Sequence, residues 1–216
     1  MKELPPLAFL NSSIEPVERS RNRLPHWQRE GMFYFVTFRL ADSLPKEVMQ
    51  KLDDHRLAML ASYRKMMTPD VEQVVQRAFT RKLERLLDQN LGSCRLRDEG
   101  VSLMVANALG YFEGSLCRQV AWVIMPNHVH VLFQLLAGQV IGNLVGSWKS
   151  YTARLMNEVN GEVGAVWQKD YFDRAIRDEK HLANCVRYIR RNPAKAGLRD
   201  GEYRIWEGEL AKGMGE

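Results

Sequence analysis

Hydrophobic residues dominate three stretches of the chain in a manner typical of β-strands. Residues 32–40 are aromatic and β-branched, residues 119–125 are apolar at nearly every position, and residues 128–135 follow the turn residues Pro126 and Asn127. Short runs of this kind, bounded by turn signals, predict strands and, for the last two, an antiparallel pair. Because 119–125 is apolar on both faces, we expect it to lie in the middle of a sheet.

Elsewhere apolar residues recur at helical intervals. Region 46–91 places them between charges of both signs, which predicts two helices, the second beginning at Pro69 after the capping residue Thr68. Three further helices are expected from their apolar stripes, over residues 99–113, 139–159 and about 178–192. The last should end before Pro193, because proline disfavours helical geometry in the preceding residue. Strands interleaved with helices indicate an α+β fold.

Length and composition narrow the class of protein. A chain of 216 residues fits one globular domain. It has no apolar run near the ~20 residues that a membrane-spanning helix needs, so we expect no membrane partner, and its first residues do not resemble a secretory signal. Cys94, Cys117 and Cys185 are far apart and form no CxxC pair, which argues against a disulfide framework. We therefore expect a cytoplasmic protein.

Positively charged residues are unevenly distributed along the chain. The formal net charge of +5 favours a polyanionic partner only mildly. Residues 167–199, however, hold nine Lys and Arg against four Asp and Glu. Residues 1–30 contain four prolines and several arginines, among them Arg21 and Arg23, and predict an extended basic arm.

Two histidines stand close together on the predicted strand 128–135. Side chains alternate along a strand, so His128 and His130 point to one face while Val129 and Val131 point to the other. Two imidazoles on one face can chelate a divalent ion. The pattern is short, and from it alone two histidines that merely line a partly hydrated sheet face are an equally good interpretation.

A tyrosine lies at the border between the apolar and solvent sides of the last predicted helix. Tyr188 has Asn184 one turn before it and Asn192 one turn after it. By itself, a half-buried tyrosine whose hydroxyl meets water is the better interpretation. Combined with two histidines and nearby arginines it fits a phosphodiester site, because a bound metal ion can polarise a phosphodiester for attack. Asn192 could then supply an oxygen ligand.

Four segments, taken in order, carry a more specific pattern. They are Met125-Pro126-Asn127-His128-Val129-His130, Trp167-Gln168, Tyr171-Phe172-Asp173-Arg174-Ala175-Ile176-Arg177 and Tyr188-Ile189-Arg190-Arg191-Asn192-Pro193-Ala194-Lys195-Ala196-Gly197-Leu198. With them the chain resembles the REP-associated tyrosine transposases, which are related to the single-tyrosine insertion-sequence transposases of the HUH endonuclease superfamily. The resemblance extends over residues 26–40 and 117–206.

The resemblance implies a fold and a set of roles. The fold would be a ferredoxin-like antiparallel sheet with helices on one face. His128 and His130 would hold Mg²⁺ or Mn²⁺, with Asn192 as the third ligand. Tyr188 would attack single-stranded or hairpin DNA, leaving a 5′-phosphotyrosine and a free 3′-hydroxyl for strand transfer. The residues expected to contact DNA, from the basic regions as well as the resemblance, are Arg187, Arg190, Arg191, Lys195, Arg199, Arg21 and Arg23.

The resemblance also divides the chain. It implies one transposase-like domain, 1–216. Within it lie the basic N-terminal arm 1–30, a helical insertion 46–98 that is longer and more helical than the compact family core, and the end of the nucleophile helix with the tail, 188–216. Relatives act as monomers or homodimers, and both states stay open.

Alternative functions remain at this point. A domesticated member of the family would bind repeated DNA hairpins without cutting them. An unrelated HxH metallohydrolase ranks last, since a barrel hydrolase typically needs ~250 residues. Tyr151 and Tyr171 are the competing tyrosines, and we interpret both as packing residues.

Overall fold

The computed structural model describes residue 9 and residues 18–21, 25–28, 31–63, 68–136 and 138–215. The strands are β1 (Glu18–Arg21), β2 (Pro25–Gln28), β3 (Phe33–Arg39), β4 (Cys117–Ile124), β5 (His128–Leu135), β6 (Phe172–Ala175) and β7 (Arg204–Glu207). The α-helices are α1 (Lys46–Ser62), α2 (Pro69–Leu87), α3 (Glu99–Tyr111), α4 (Ile141–Asn160), α5 (Glu179–Lys195) and α6 (Glu209–Lys212). A 3₁₀ turn covers Arg95–Arg97.

Five strands form one sheet in the order β6-β3-β5-β4-β7, and every neighbouring pair is antiparallel. The first four strands of this order, with α3 and α4 as the crossover connections, make the ferredoxin-like arrangement. The predicted α+β class is therefore confirmed, as is the interior position of β4, which lies between β5 and β7. Strand β5 lies between β3 and β4, and this places the two histidines in the middle of the sheet.

The two crossover helices cover one face of the sheet. Val129, Val131 and Phe133 of β5 pack there in one cluster with Leu144 and Trp148 of α4. The Phe133 and Trp148 rings meet edge to face, with centroids 5.5 Å apart. Burial of this many apolar side chains is the main stabilising contribution to the fold.

The opposite face is covered as well, and here the structure departs from the expectation of helices on one face only. Leu182, Cys185, Val186 and Ile189 of α5 pack against the sheet in a second cluster, to which α6 contributes Ala211. The physical reason is that the central strands are apolar on both faces, so a single helical layer would leave apolar surface in water. The histidine face is therefore an interior surface.

Helix boundaries follow the sequence signals with one exception. The Thr68 hydroxyl caps α2 by accepting a hydrogen bond from the Val71 N–H, as predicted. Helix α5, however, continues through Pro193 to Lys195. The proline lies in the last turn, where it removes only one backbone hydrogen bond, and the Ala196 N–H still bonds to the Asn192 carbonyl.

The insertion forms a helical pair with a small core of its own. Leu44, Leu52, Phe79, Leu83 and Leu87 make a third cluster, separate from the two that cover the sheet. Helix α2 reaches the rest of the domain through a few contacts, described below. The insertion thus lies beside the histidine face.

The N-terminal arm contributes the two-stranded β1-β2 sheet. Arg21 ends β1, where only the backbone is described, and Arg23 lies outside the described residues. Across the described part of the chain, no helix is both long and apolar enough to cross a membrane.

Candidate active site

The histidine pair lies on the face of β5 that α5 covers. His128 and His130 are fully buried, and their Nε2 atoms face each other 3.1 Å apart. The antiparallel register places Thr37 of β3 opposite His130 and Arg39 opposite His128. The same-face arrangement predicted from strand alternation is confirmed by this geometry.

The outer ring nitrogens of both histidines are held by neighbouring side chains. Asn127 Oδ1 lies 2.7 Å from His128 Nδ1, and the Asn127 amide nitrogen donates to the carbonyls of Leu91 and Leu87 at 3.0 and 3.4 Å. Because that oxygen can only accept, His128 carries its proton on Nδ1 and presents the Nε2 lone pair inwards. Thr37 Oγ1 lies 2.7 Å from His130 Nδ1 and can hold that ring in the same tautomer.

Burial keeps both imidazoles neutral. It lowers the pKa of His128 to about 3, with the positive charge of Lys195 as a smaller cause. The pKa of His130 is likewise well below its usual range because of burial, reinforced by His128, Arg174 and Lys195. A neutral imidazole with a free lone pair is the form that binds metal ions.

Tyr188 projects from α5 against this pair. Its ring meets the His130 ring edge to face, with centroids 5.3 Å apart, and the Phe35 ring at 5.6 Å. The hydroxyl is buried and makes no hydrogen bond of full geometry with the described residues. Burial is the largest cause that raises the pKa of Tyr188 far above its usual range, followed by the negative charges of Glu84 and Asp88. The phenol is therefore protonated in this arrangement.

Asn192 lies one helical turn after Tyr188 and is fully buried. Its amide comes close enough to the Tyr188 hydroxyl to favour the phenolate slightly. Even so, among the described residues neither its Oδ1 nor its Nδ2 has a hydrogen-bond partner of full geometry. A buried amide without partners is unfavourable by about 1–3 kcal/mol, which native proteins tolerate chiefly where the group serves a ligand.

These groups fit a divalent metal ion. Two imidazole lone pairs converge, and an amide with both polar atoms unused lies on the adjoining helix. In the described ranges no three His, Cys, Asp or Glu side chains are grouped so that they could hold a metal ion. His128 and His130, with Asn192 as an amide ligand, are the residues that would hold one here.

The predicted DNA-contacting residues have different surroundings. Arg191 and Arg199 are exposed. Arg187 donates a hydrogen bond to Asn184 Oδ1 on the same helix. Lys195 Nζ is paired with Asp88 Oδ2 of α2 at 2.7 Å. Arg190 instead makes a two-pronged ion pair with Glu207 at 2.8 and 3.0 Å and also donates to the Ala211 carbonyl, so its role here is to hold the C-terminal segment.

Three charged residues near the site were not among the predicted site residues. Glu84 of α2 contacts the Tyr188 hydroxyl, Arg174 of β6 lies over the Phe35 ring at 5.1 Å, and Arg39 is a buried arginine whose Nε has no described partner. A charged residue within an otherwise apolar strand was a usable signal for Arg39, and strand alternation was one for Arg174. No local pattern singles out Glu84.

The competing tyrosines lie in other environments. Tyr151 is 49% exposed and has the Arg154 guanidinium over its ring at 5.6 Å. Tyr171 is buried in the cluster on the far face of the sheet. Neither belongs to the histidine site.

Comparison with known proteins places the similarity on the same region. Residues 108–192 match the family described as IS200-like transposases. An uncharacterised protein of Haemophilus influenzae is 29% identical over 94 residues, which cover 33% of this chain and 52% of that protein. A REP-associated tyrosine transposase of Escherichia coli is 26% identical over 98 residues, covering 44% of this chain and 57% of the relative.

One solved structure is also similar. It is that of a REP-associated tyrosine transposase bound to a REP hairpin, with a TM-score of 0.45, 15% identity, and coverage of 88% of this chain and 93% of that one. The chain spans about half the length of the sequence relatives that it matches. The sequence relatives confirm the resemblance to REP-associated tyrosine transposases. Within this chain, residues 108–192 are the part that is similar to the IS200-like transposase family.

Proposed function

We propose that this protein cleaves and rejoins single-stranded DNA through a covalent link to Tyr188, as a step of DNA transposition. The observation that carries the proposal is the contact between the Tyr188 phenol and His130, whose Nε2 faces that of His128 at 3.1 Å. A nucleophile and a pair of neutral metal-binding imidazoles meet in one buried position. The similarity to IS200-like and REP-associated tyrosine transposases supports the same chemistry.

The bond changes follow from the nucleophile. The Tyr188 oxygen attacks the phosphorus of a DNA phosphodiester, a P–O bond to tyrosine forms, and the bond to the 3′ oxygen breaks. The products are a 5′-phosphotyrosine and a strand with a free 3′-hydroxyl, which takes up a proton while the phenol loses one. Attack by another 3′-hydroxyl reverses these changes and joins two strands.

Each residue of the site has a defined task in this proposal. Asn127 and Thr37 fix the two imidazoles so that their lone pairs point inwards. Mg²⁺ or Mn²⁺, held by His128, His130 and Asn192, would polarise the phosphodiester and offset its developing charge. The phenol is a weak nucleophile while protonated, so this offset matters in a site that raises its pKa.

The partner that we propose is single-stranded or hairpin DNA. Arg187, Arg191 and Arg199 are placed on the solvent side of α5 and just beyond its end, where they can contact phosphates. The name of the Escherichia coli relative, a REP-associated tyrosine transposase, is consistent with a repeated DNA element as the target. Action in the bacterial cytoplasm, as a monomer or homodimer, belongs to the same proposal.

The decisive experiment is the substitution Tyr188→Phe, which removes one oxygen. Incubation with 5′- and 3′-labelled hairpin DNA and Mn²⁺ should give a protein–DNA band on denaturing gels with the unaltered protein. The variant should lose it by at least ~10³-fold while still binding the DNA, since no other group replaces a covalent nucleophile. Tyr151→Phe, on an exposed tyrosine outside the site, serves as the matched control and should keep the band.

The same assay decides against the proposal if the band persists in Tyr188→Phe or disappears in the control. A protein that binds hairpins tightly with Mn²⁺ present but forms no covalent band at all would instead be a non-cleaving hairpin binder.

A further inference from the structure

Two carboxylates of the insertion lie where Tyr188 and nearby cations meet. Glu84 lies in the last turn of α2, and Asp88, four residues later, is the capping residue at its end. Because they are one turn apart, their side chains lie on the same side of the helix. Asp88 Oδ2 accepts from Lys195 Nζ at 2.7 Å. The Glu84 carboxylate contacts the Tyr188 hydroxyl and is influenced by the positive charges of Arg174 and Lys195. Two negative groups therefore face two cations beside the candidate nucleophile.

The same arrangement closes the site. His128 and His130 have no exposed surface, and the Tyr188 hydroxyl oxygen is buried. A DNA phosphodiester, which must touch that oxygen to react, has no path to it while every element stays in place. Some element that covers the site has to give way before DNA can bind productively.

Helix α2 is better suited to move than α5. Four side chains of α5, Leu182, Cys185, Val186 and Ile189, are part of the core on the sheet. The apolar residues of α2 belong mainly to the separate cluster that the insertion shares with Leu44. Towards the site α2 is held by the Lys195 ion pair, a ring contact between Phe79 and Phe172 at 5.7 Å, and the bonds from Asn127 to the carbonyls of Leu87 and Leu91.

We propose that Lys195 and Arg174 mark the path of the DNA backbone, and that Glu84 and Asp88 occupy it in place of phosphates until DNA displaces α2. The idea rests on the proposed function and adds a binding path and a closed state to it. Carboxylate and phosphate oxygens are alternative partners for the same cations. The closed state also keeps the nucleophile inactive, because the buried Tyr188 hydroxyl oxygen cannot touch a phosphodiester.

The first test measures DNA binding without cleavage. In Tyr188→Phe protein, the affinity for a fluorescent hairpin with a single-stranded flank is compared with that after adding Glu84→Gln and Asp88→Asn. We expect these two changes to tighten binding about tenfold. The control, Glu158→Gln with Glu209→Gln, removes two carboxylates from surface ion pairs elsewhere and corrects for the altered net charge.

The second test locks the closed state. A carbodiimide joins a carboxylate to an amine without a spacer, so it should link Asp88 to Lys195, whose atoms are 2.7 Å apart. Peptide mass spectrometry identifies the linked peptides. Hairpin DNA added beforehand should lower the yield of this link, and the linked fraction should fail to bind DNA. Asp88→Asn protein, treated in the same way, shows the effect of other links.

Several results would overturn the closed-state proposal. The first is a DNA affinity no tighter than that of the charge-matched control, and the second is a linked protein that binds DNA normally. The third is slower formation of the covalent band in Glu84→Gln at unchanged affinity, which would make Glu84 a participant in the chemistry. Affinity and linkage are measured in Tyr188→Phe protein, so those two results are independent of whether Tyr188 forms a covalent link. Only the rate of the covalent band is measured with Tyr188 intact.

Discussion

The two faces of strand β5 are built on opposite principles. On one face Val129, Val131 and Phe133 pack against α3 and α4 in an apolar cluster. On the other face His128 and His130 place imidazoles in a buried position of similar depth. Both faces exclude water, and buried apolar side chains stabilise both, but the two imidazoles gain less from burial than the apolar side chains on the other face.

The two faces differ in how many of their buried polar atoms lack a hydrogen-bond partner. Next to the histidines, the Tyr188 hydroxyl and both polar atoms of the Asn192 amide have no hydrogen-bond partner of full geometry in the described part of the chain. A fold selected for stability alone would replace such groups with apolar ones. One face therefore stabilises the fold through apolar contacts, and the other leaves the Tyr188 hydroxyl and the Asn192 amide available to bind a ligand.

The largest effect that distinguishes the faces should come from Trp148→Ala. Trp148 is buried against Phe133, and its truncation leaves a large cavity, so we expect the free energy of unfolding to fall by about 3–5 kcal/mol. Urea denaturation followed by circular dichroism measures the change. Tyr188→Phe, which removes a hydroxyl without a hydrogen bond of full geometry to the described residues, should alter the free energy of unfolding by less than about 0.5 kcal/mol. Equal losses of unfolding free energy in the two variants would contradict this difference between the faces.

The next effect is a pH dependence that the histidine face alone should produce. The native pKa of His128 is about 3 and that of His130 is also well below 6.5, whereas the unfolded chain binds these protons near pH 6.5. Stability is therefore lost as the pH falls from 6.5 towards 3. At pH 5 the loss from His128 should be about 2 kcal/mol, and His130 should add to it.

Denaturation of metal-free protein at pH 8 and pH 5 measures this loss. A variant with His128→Gln and His130→Gln should lose at least about 2 kcal/mol less than the unaltered protein over the same interval, since other titrating groups contribute equally to both. An identical pH dependence in the two proteins would show that the imidazoles are accessible to protons in the native state.

The smallest effect compares two buried asparagines. Asn192→Leu removes an amide without described partners and should raise the free energy of unfolding by about 1 kcal/mol, while weakening Mn²⁺ binding. Asn127→Leu removes an amide bonded to His128, Leu91 and Leu87 and should lower it by about 2 kcal/mol. Denaturation and Mn²⁺ titration check both. A loss of stability in Asn192→Leu would mean that its amide is satisfied within the protein.

The sequence allowed the site to be predicted where local periodicity decides the outcome. The alternation of a strand put His128 and His130 on one face, and the helical period put Tyr188 on the border of α5 with Asn192 one turn away. Three of the four strands of the ferredoxin-like unit, β3, β4 and β5, and its crossover helices followed from the same two periods, whereas the short strand β6 did not.

What the sequence did not predict depends on contacts between distant segments. Glu84 lies on a helix whose own pattern shows only charged residues between apolar ones, and its meeting with Tyr188 is decided by how the insertion docks. The position of Arg190 on α5 suited a residue that contacts phosphate, but the C-terminal segment packs beside it and Glu207 forms an ion pair with it. Pro193 was expected to end α5, and the helix tolerates it because so few bonds follow.

The bonds that Asn127 makes to distant segments limit how the candidate site could be transferred to another protein. Residues 108–192, the part matched by the transposase family, contain the histidines, Tyr188, Asn192 and Asn127. However, the Thr37 hydroxyl beside His130 and the Leu87 and Leu91 carbonyls that hold Asn127 come from earlier in the chain. A chimera that receives only 108–192 would inherit the candidate ligands without part of their alignment.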